Sequence, residues 1–440
     1  MHFLNFILTL STTLPLACYA LPTGNKDVSA KAHDISTSSS QALGVGSQKL
    51  RKCTSGKPTG RHVVKVQKGR PLSSVQHLIK SKSTAIKLGN VIITEPTLTS
   101  ETITALTSHA DVVYVAEDCL VQILDINTPT APVVKDNKPW GVARLSSTTT
   151  LPQTGHALAH THVHHKKADC VDVYVVDSGV DKSHPDFEPG QVEFGANYAP
   201  GYAVDFDKDD NGHGTHVAGI IGSKRFGVAE APHIISVKVS NSRSELREAD
   251  IVEGLAWTWN HIQYQRTEAS KNKQPLRPAV INLSFSQELP PNYLEDCLEE
   301  LADDGIHIVV TAGNKNKDAH GTSPARSPHV ITVGAMNILD KRSSFSNYGD
   351  VVDIYAPGTG IVSTWSKDAP GPPEAVKFLD GTSQAAPHVT GLISELICMQ
   401  FPAVSPKPAD IKRTLIKYAL IDKLQDIREP VPVFVKLLYF

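Results

Sequence analysis

The apolar positions of this chain fall into two different rhythms, one on each side of residue 138. Phe3 to Leu16 is a nearly continuous apolar run, too short to span a bilayer, and Ala17-Cys18-Tyr19-Ala20 follows with small residues where a signal peptidase cuts. This predicts a secretory signal peptide over residues 1–20. An uncleaved apolar anchor is the plainer alternative, because only His2 stands in for a positive leader. No later run is long and apolar enough to span a membrane. Residues 21–60 are rich in Ser, Lys, Gly and Ala without periodicity and read as a flexible leader. From Arg61 to Leu124, short runs predict strand (His62–Val66), helix (Ser73–Lys80), strand (Gly89–Thr94), helix (Thr99–Ser108) and strand (Val112–Val115), a small α+β unit over 61–124. Residues 125–137 carry Pro129 and Pro132 and read as a linker open to proteolysis. Over 138–440, strand-like runs such as Val171–Val176 and Ile306–Thr311 alternate with helix-like runs such as Asp250–Gln263 and Asn292–Leu301. That alternation predicts an α/β fold with a mostly parallel sheet.

Composition narrows the field. With 440 residues, 40% of them hydrophobic and 20% charged, the chain can bury more than one core, which excludes general disorder. A formal charge of -2 supplies no field for a polyanion, so nucleic acid and anionic membranes drop out as partners. Of six cysteines, Cys18 leaves with the signal, Cys53 and Cys119 precede Trp140, and Cys170, Cys297 and Cys398 follow it. An odd number in the C-terminal part leaves at least one thiol unpaired there, so stability must come from the core. Cys297 and Cys398 lie on apolar helical runs and read as small buried hydrophobes, while a disulfide at Cys170 stays open.

Three segments carry chemistry. The strand Val173-Tyr174-Val175-Val176 ends in Asp177-Ser178-Gly179, a carboxylate at the carboxyl end of a parallel strand, where open α/β sheets keep their sites. Taken alone it could be a turn former. Asn211-Gly212-His213-Gly214-Thr215-His216 opens a small-residue helix with a histidine between glycines, which permit close approach to the imidazole. Gly381-Thr382-Ser383-Gln384 puts a hydroxyl at a helix start, where free backbone N–H groups favour developing negative charge, although an N-cap is the ordinary reading of such a serine. Carboxylate, imidazole and hydroxyl together, each at an element end among glycines, point to nucleophilic catalysis.

These segments resemble the subtilisin-like serine proteases, most closely the proteinase K branch, in the order Asp, His, Ser. The likeness extends through Pro139-Trp140-Gly141-Val142-Ala143-Arg144, Ser343-Ser344-Phe345-Ser346-Asn347-Tyr348-Gly349 and Ala356-Pro357-Gly358, and so covers nearly all of 138–440. It implies a subtilisin-like three-layer α/β fold with a mostly parallel central sheet, preceded by a small α+β inhibitory propeptide domain at 61–124. It further implies Ser383 as nucleophile, His213 as general base and then acid, and Asp177 as the group that orients the imidazole. His216 is expected to be a buried helix residue. The turn Ala312-Gly313-Asn314 matches the family's oxyanion segment, which implies Asn314 and the Ser383 N–H as oxyanion donors.

The chain departs from the family at the substrate edges. Ser284-Phe285-Ser286-Gln287 stands where the family has Ser-Leu-Gly-Gly, and Ser242-Arg243-Ser244-Glu245-Leu246 where a glycine-rich second edge is usual. Ser244, Leu246, Ser284, Phe285 and Ser286 are therefore expected to line a narrower cleft with restricted specificity. Lys315, beside Asn314, falls near the rim of the pocket for the residue before the scissile bond, where it would favour acidic residues or lie solvated. Gln384 replaces the family's Met. The resemblance also implies a calcium site formed by the Pro328 and Val330 carbonyls with Asp353, the alternative being an ordinary capping Asp. The cluster His156, His160, His162, His164 and His165 is a metal candidate by composition alone. The sequon at Asn282 lies on a core strand and is discounted.

The expectation is a secreted, monomeric serine endopeptidase without an organic cofactor, acting on proteins or peptides, with a vacuole or cell surface as alternative destinations. Its own propeptide is the intramolecular inhibitor, released by self-cleavage somewhere from Leu124 to Pro132. The competing expectation is a catalytically silent, secreted peptide-binding pseudoprotease.

Overall fold

In the computed structural model, residues 49–53, 56–95, 98–123, 126–127, 139–147, 151, 167–288, 293–370, 376–400, 406–421, 423–426 and 436–437 are described. The signal-peptide segment, the histidine cluster and most of the linker lie outside them.

Valine and isoleucine runs stiff at χ1 build the centre of the molecule. Ile354–Pro357, Ile331–Met336, His307–Thr311, Ala279–Leu283, Asp172–Asp177, His233–Lys238 and Val192–Asn197 lie side by side in that order, each neighbouring pair parallel. Both faces are buried, as parallel sheets require. On one face Val173, Val175, Val280 and Val309 pack with Val217 and Ile221 of the helix His213–Gly222 and with Ala386 and Val389 of the helix Thr382–Gln400. On the other, Tyr174, Val176, Ile281 and Val310 pack with Val252 and Leu255 of the helix Glu248–Lys271 and Leu298 of the helix Tyr293–Asp303. These are the three layers expected, helix on sheet on helix. Among the described residues no helix is long and apolar enough to cross a membrane.

The N-terminal unit is a separate sheet whose strands obey the two-residue period. Val63, Ile93, Tyr114 and Ala116 face the helices Glu248–Lys271 and Tyr293–Asp303, while Val64, Val66, Ile92 and Val115 face the unit's own helices through Val75 and Leu106. Its elements depart from expectation in length. The first helix is a single turn at Ser73–Gln76, the strand Lys82–Ile86 was not foreseen, and the last strand runs Val112–Gln122. The expected leader also needs correction at its end. Leu50–Arg51 pairs with Val115 and Ala116, Cys53 is bonded to Cys119, and Lys57–Val66 is one continuous strand, so the folded unit begins before residue 61.

Charges join the unit to the helix beneath it. Asp118 accepts from Ala249 N at 2.9 Å, supplying an N-terminal cap that the helix Glu248–Lys271 lacks from its own side chains. Arg61, nearly buried, reaches Asp250 at 2.5 Å and Glu253 at 3.3 Å.

Cysteine behaviour is split. Cys297 is buried and free, as expected. Cys398 is not merely a buried hydrophobe: it is bonded to Cys170 with Cα atoms 5.8 Å apart. That bridge ties the segment before Asp172–Asp177 to the far end of the helix that begins beside Ser383.

Candidate active site

Three neighbouring strands deliver side chains to one edge of the sheet, because parallel strands end together. Asp172–Asp177 ends on Asp177, Ala279–Leu283 runs into Ser284, and His307–Thr311 runs into Gly313 and Asn314. The first of these strands has chain neighbours leaving in opposite directions, the switch point at which such sheets bind ligands.

His213 starts its helix after Gly212, which has φ 98° and tolerates it for want of a Cβ. A Cβ on Gly214 would lie 2.0 Å from Gly179 O and 3.2 Å from Asp177 Cβ, so glycine is what lets the imidazole come this close. His213 Nδ1 is 2.7 Å from Asp177 Oδ1, both residues fully buried, and Ser178 N donates to the same oxygen at 2.7 Å. A carboxylate only accepts, so Nδ1 carries the proton and Nε2 is left as the basic nitrogen.

Asp209 escaped sequence reasoning. It is fully buried and accepts from Ser178 Oγ (2.8 Å), Asn211 N (3.2 Å), Gly212 N (2.8 Å), Thr215 N (2.9 Å) and Thr215 Oγ1 (2.6 Å). One carboxylate thus pins both the turn before His213 and the residue after Asp177. Burial raises its pKa against the pull of these donors. The available signal was its place two residues before Asn211-Gly212, where an Asx-type turn is common. Lys238, also nearly buried, closes the same region by donating to Ser178 O and to Asp210 at 2.9 Å.

Ser383 is buried in the first turn of its helix. Its Oγ donates to Ser284 O at 2.9 Å, and Ser284 Oγ donates back to Ser383 O at 3.0 Å. The structure therefore pairs Asp177 with His213 and Ser383 with Ser284. Asn314 Oδ1 accepts from Thr382 N at 2.8 Å and Thr382 Oγ1 at 2.7 Å. Two donors on that atom fix it as oxygen, which leaves Nδ2 as the donor, 3.4 Å from where a Gly381 Cβ would be. Gln384 is buried with neither amide atom hydrogen-bonded, and nothing in the surroundings explains it.

A cavity of about 500 Å³ adjoins Ser383 and Asn314, with Phe285, Ser286 and Lys315 in its wall. Lys315 Nζ leans to Glu288 at 3.4 Å, an oxygen that Lys317 also takes at 2.8 Å, so two ammoniums share one carboxylate. Leu120 and Val121 of the N-terminal unit line the same cavity. Glu245–Arg247 pairs antiparallel with Leu120–Gln122, Leu246 opposite Val121, and Ile123 N donates to Ser244 O at 2.9 Å. Ser244 has φ 61°, the left-handed value that a glycine would take without strain, and its Oγ accepts from Asn211 Nδ2 at 2.9 Å. Ile126–Asn127 pairs antiparallel with Leu379–Asp380, just before Ser383 in sequence, so the start of the expected linker is a strand. Leu124 and Asp125 lie outside the described residues.

The groups named for calcium serve a different cation. Lys412 Nζ donates to Val330 O at 2.8 Å and pairs with Asp353 Oδ2 at 2.8 Å, and Thr332 N also donates to that oxygen. The expected set of Pro328, Val330 and Asp353 does not fit a free metal ion, because an ammonium already holds two of its three members. His216 is buried, with Nε2 facing the carbonyls of Ile361 and Lys377, and burial pushes its pKa down to about 3, in keeping with a helix residue rather than a base. Asn282 is buried and bonded to Ser284 Oγ and Thr390 Oγ1, which removes it from glycosylation.

Comparison with known proteins shows the family of the chain. A family model described as Peptidase_S8, the subtilase family, matches residues 169–430. The chain is 36% identical over 345 residues to a subtilisin-like protease of Coccidioides posadasii (strain C735), covering 76% of this chain and 65% of that protein. It is 34% identical over 335 residues to the subtilisin-like serine protease Cur l 4.0101 of Cochliobolus lunatus, covering 74% and 63%. The chain thus spans less than two thirds of the length of either relative. The crystal structure of a cold adapted subtilisin-like serine proteinase superposes with a TM-score of 0.58 at 31% identity, covering 69% of this chain and 98% of that one.

Proposed function

This chain belongs to the subtilase family, and on that premise we propose that it is a secreted serine endopeptidase made as a self-processed zymogen, with Asp177, His213 and Ser383 as its triad. The observation that carries this reading is that two of the chain's own strands lie beside the site: Val112–Gln122 pairs with Glu245–Arg247 and lines the Ser383 cavity, and Ile126–Asn127 pairs with Leu379–Asp380, just before Ser383 in sequence. A peptide held as an added strand across a nucleophile is how a substrate would lie.

In this scheme Ser383 Oγ attacks the scissile carbonyl while His213 Nε2 takes its proton. Asp177 stabilises the imidazolium through Nδ1–H. The oxyanion takes hydrogen bonds from Asn314 Nδ2 and the Ser383 N–H, at the positive end of the helix Thr382–Gln400. His213 then gives its proton to the departing amine, and water, deprotonated by the same nitrogen, hydrolyses the acyl ester. No organic cofactor enters. The first substrate is the chain itself, cut between Ile123 and Ile126, after which the N-terminal unit stays as inhibitor until it is degraded. External substrates are peptides accepted in extended form past Ser286 of the cavity wall and the Ser244 edge, whereas Leu246, expected in the cleft, is fully buried in the core and does not narrow it.

Two carriers of the silent-binder reading remain, the Ser383–Ser284 hydrogen bond and the altered edges. A serine-directed fluorophosphonate separates the two readings. Labelling at Ser383 that vanishes in Ser383→Ala and collapses in His213→Ala supports the enzyme; a processed, folded wild type that takes no label overturns it.

A further inference from the structure

We propose that Lys412 is a built-in replacement for a structural cation, so that this fold keeps its Val330–Asp353 junction closed without calcium. The proposal does not depend on the proteolytic reading.

The junction joins two neighbouring parallel strands. Val330 immediately precedes the strand Ile331–Met336, and Asp353 immediately precedes Ile354–Pro357. A carbonyl and a carboxylate converging there favour a positive charge, because both are acceptors and neither can donate to the other. Lys412 supplies it from a third element, the helix Pro408–Tyr418, at 2.8 Å from each oxygen. The delivery is rigid: Ile411, one residue before, and Leu415, one turn on, are buried in the core cluster shared with the helix Thr382–Gln400. The Lys412 side chain is 25% exposed and that of Asp353 14%, so the pair is screened less than a fully exposed ion pair. Thr332 N occupies Asp353 Oδ2 as well, at 2.8 Å.

A calcium ion would have to sit 2.3–2.6 Å from the same oxygens. It would compete with the ammonium for their lone pairs at a separation where two positive charges repel strongly. One tethered charge therefore does what a bound ion would do, and its local concentration does not depend on the medium. Removing it should recreate a cation site.

The test uses the full chain carrying Ser383→Ala, to avoid self-digestion, and reads both the melting temperature and calcium bound at equilibrium dialysis. In this parent, calcium and chelator should give the same contribution from this junction, so that Asp353→Asn binds as many calcium ions as the parent. Lys412→Ala should melt lower in chelator, bind one additional calcium, and recover most of the lost melting temperature when calcium is added. If Asp353→Asn loses a bound calcium relative to the parent, or if Lys412→Ala takes up none, the proposal is wrong. Should Lys412→Ala fail to fold, the comparison of the parent with Asp353→Asn decides alone.

Discussion

Replacing Asp209 by Ala removes the one acceptor that five donors share. The two hydroxyls, on Ser178 and Thr215, can rotate to other partners, but Gly212 N and Thr215 N are fixed and buried, and Asn211 N is partly so. Each orphaned buried N–H costs about 1–3 kcal/mol, offset in part because the desolvated carboxylate is gone. The net loss expected is about 3–5 kcal/mol, the range for breaking a buried charged network from one side. Asp209→Asn keeps the shape but turns an NH2 toward a donor, so it should lose less. Urea unfolding of the Ser383→Ala parent with and without Asp209→Ala measures the stability term. A second readout separates positioning from stability: fluorophosphonate labelling with Ser383 intact, under conditions where both proteins are folded. There Asp209→Ala should slow labelling on the order of a hundredfold, the effect of small misplacements of a reacting group. A stability loss under about 1 kcal/mol with unchanged labelling would refute the role given to Asp209.

Two further outcomes follow from the interface between the N-terminal unit and the helices beneath it. Glu248 is fully buried beside Tyr293 and Gln287, and burial raises its pKa well above 4.5 against the opposing pull of those two side chains. The folded state then holds a proton that the unfolded state releases, so stability falls as pH rises above about 4.5, by about 1.4 kcal/mol per unit until the folded pKa is passed. Glu248→Gln should flatten that slope and stabilise the protein at neutral pH while leaving it unchanged near pH 4, and parallel urea midpoints for both proteins across this range would contradict it. Cys297 Sγ lies 3.8 Å from Leu88 O, and a Gly89 Cβ would meet it at 2.5 Å, so the N-terminal unit covers the thiol. Maleimide should leave Cys297 unlabelled in the intact chain and label it once the unit is released; equal rates before and after would contradict the cover.

Much of the site could be read from residue type and local spacing. Asp177, His213 and Ser383 each sit at an element end among glycines, and the strand-helix alternation placed those ends at one edge. What escaped depends on long-range encounters. Asp209 is ordinary in its own segment and acts only because Thr215 and Ser178 fold onto it. Lys412 sits on an amphipathic helix like any solvated lysine, and nothing nearby in sequence announces Val330 and Asp353. The Cys170–Cys398 bridge spans 228 residues, beyond any local pattern. Leu50–Arg51 is too short to show a period, so the Ser- and Gly-rich composition around it masked a strand.

The most direct test of the central claim is the intact mass of the expressed protein, wild type beside Ser383→Ala. The account predicts that only the wild type loses its N-terminal part, with the new terminus between Ile123 and Ile126, the interval between the strand that pairs with Glu245–Arg247 and the strand that pairs with Leu379–Asp380. Identical unprocessed masses, or a cut at that position that survives Ser383→Ala, would contradict it.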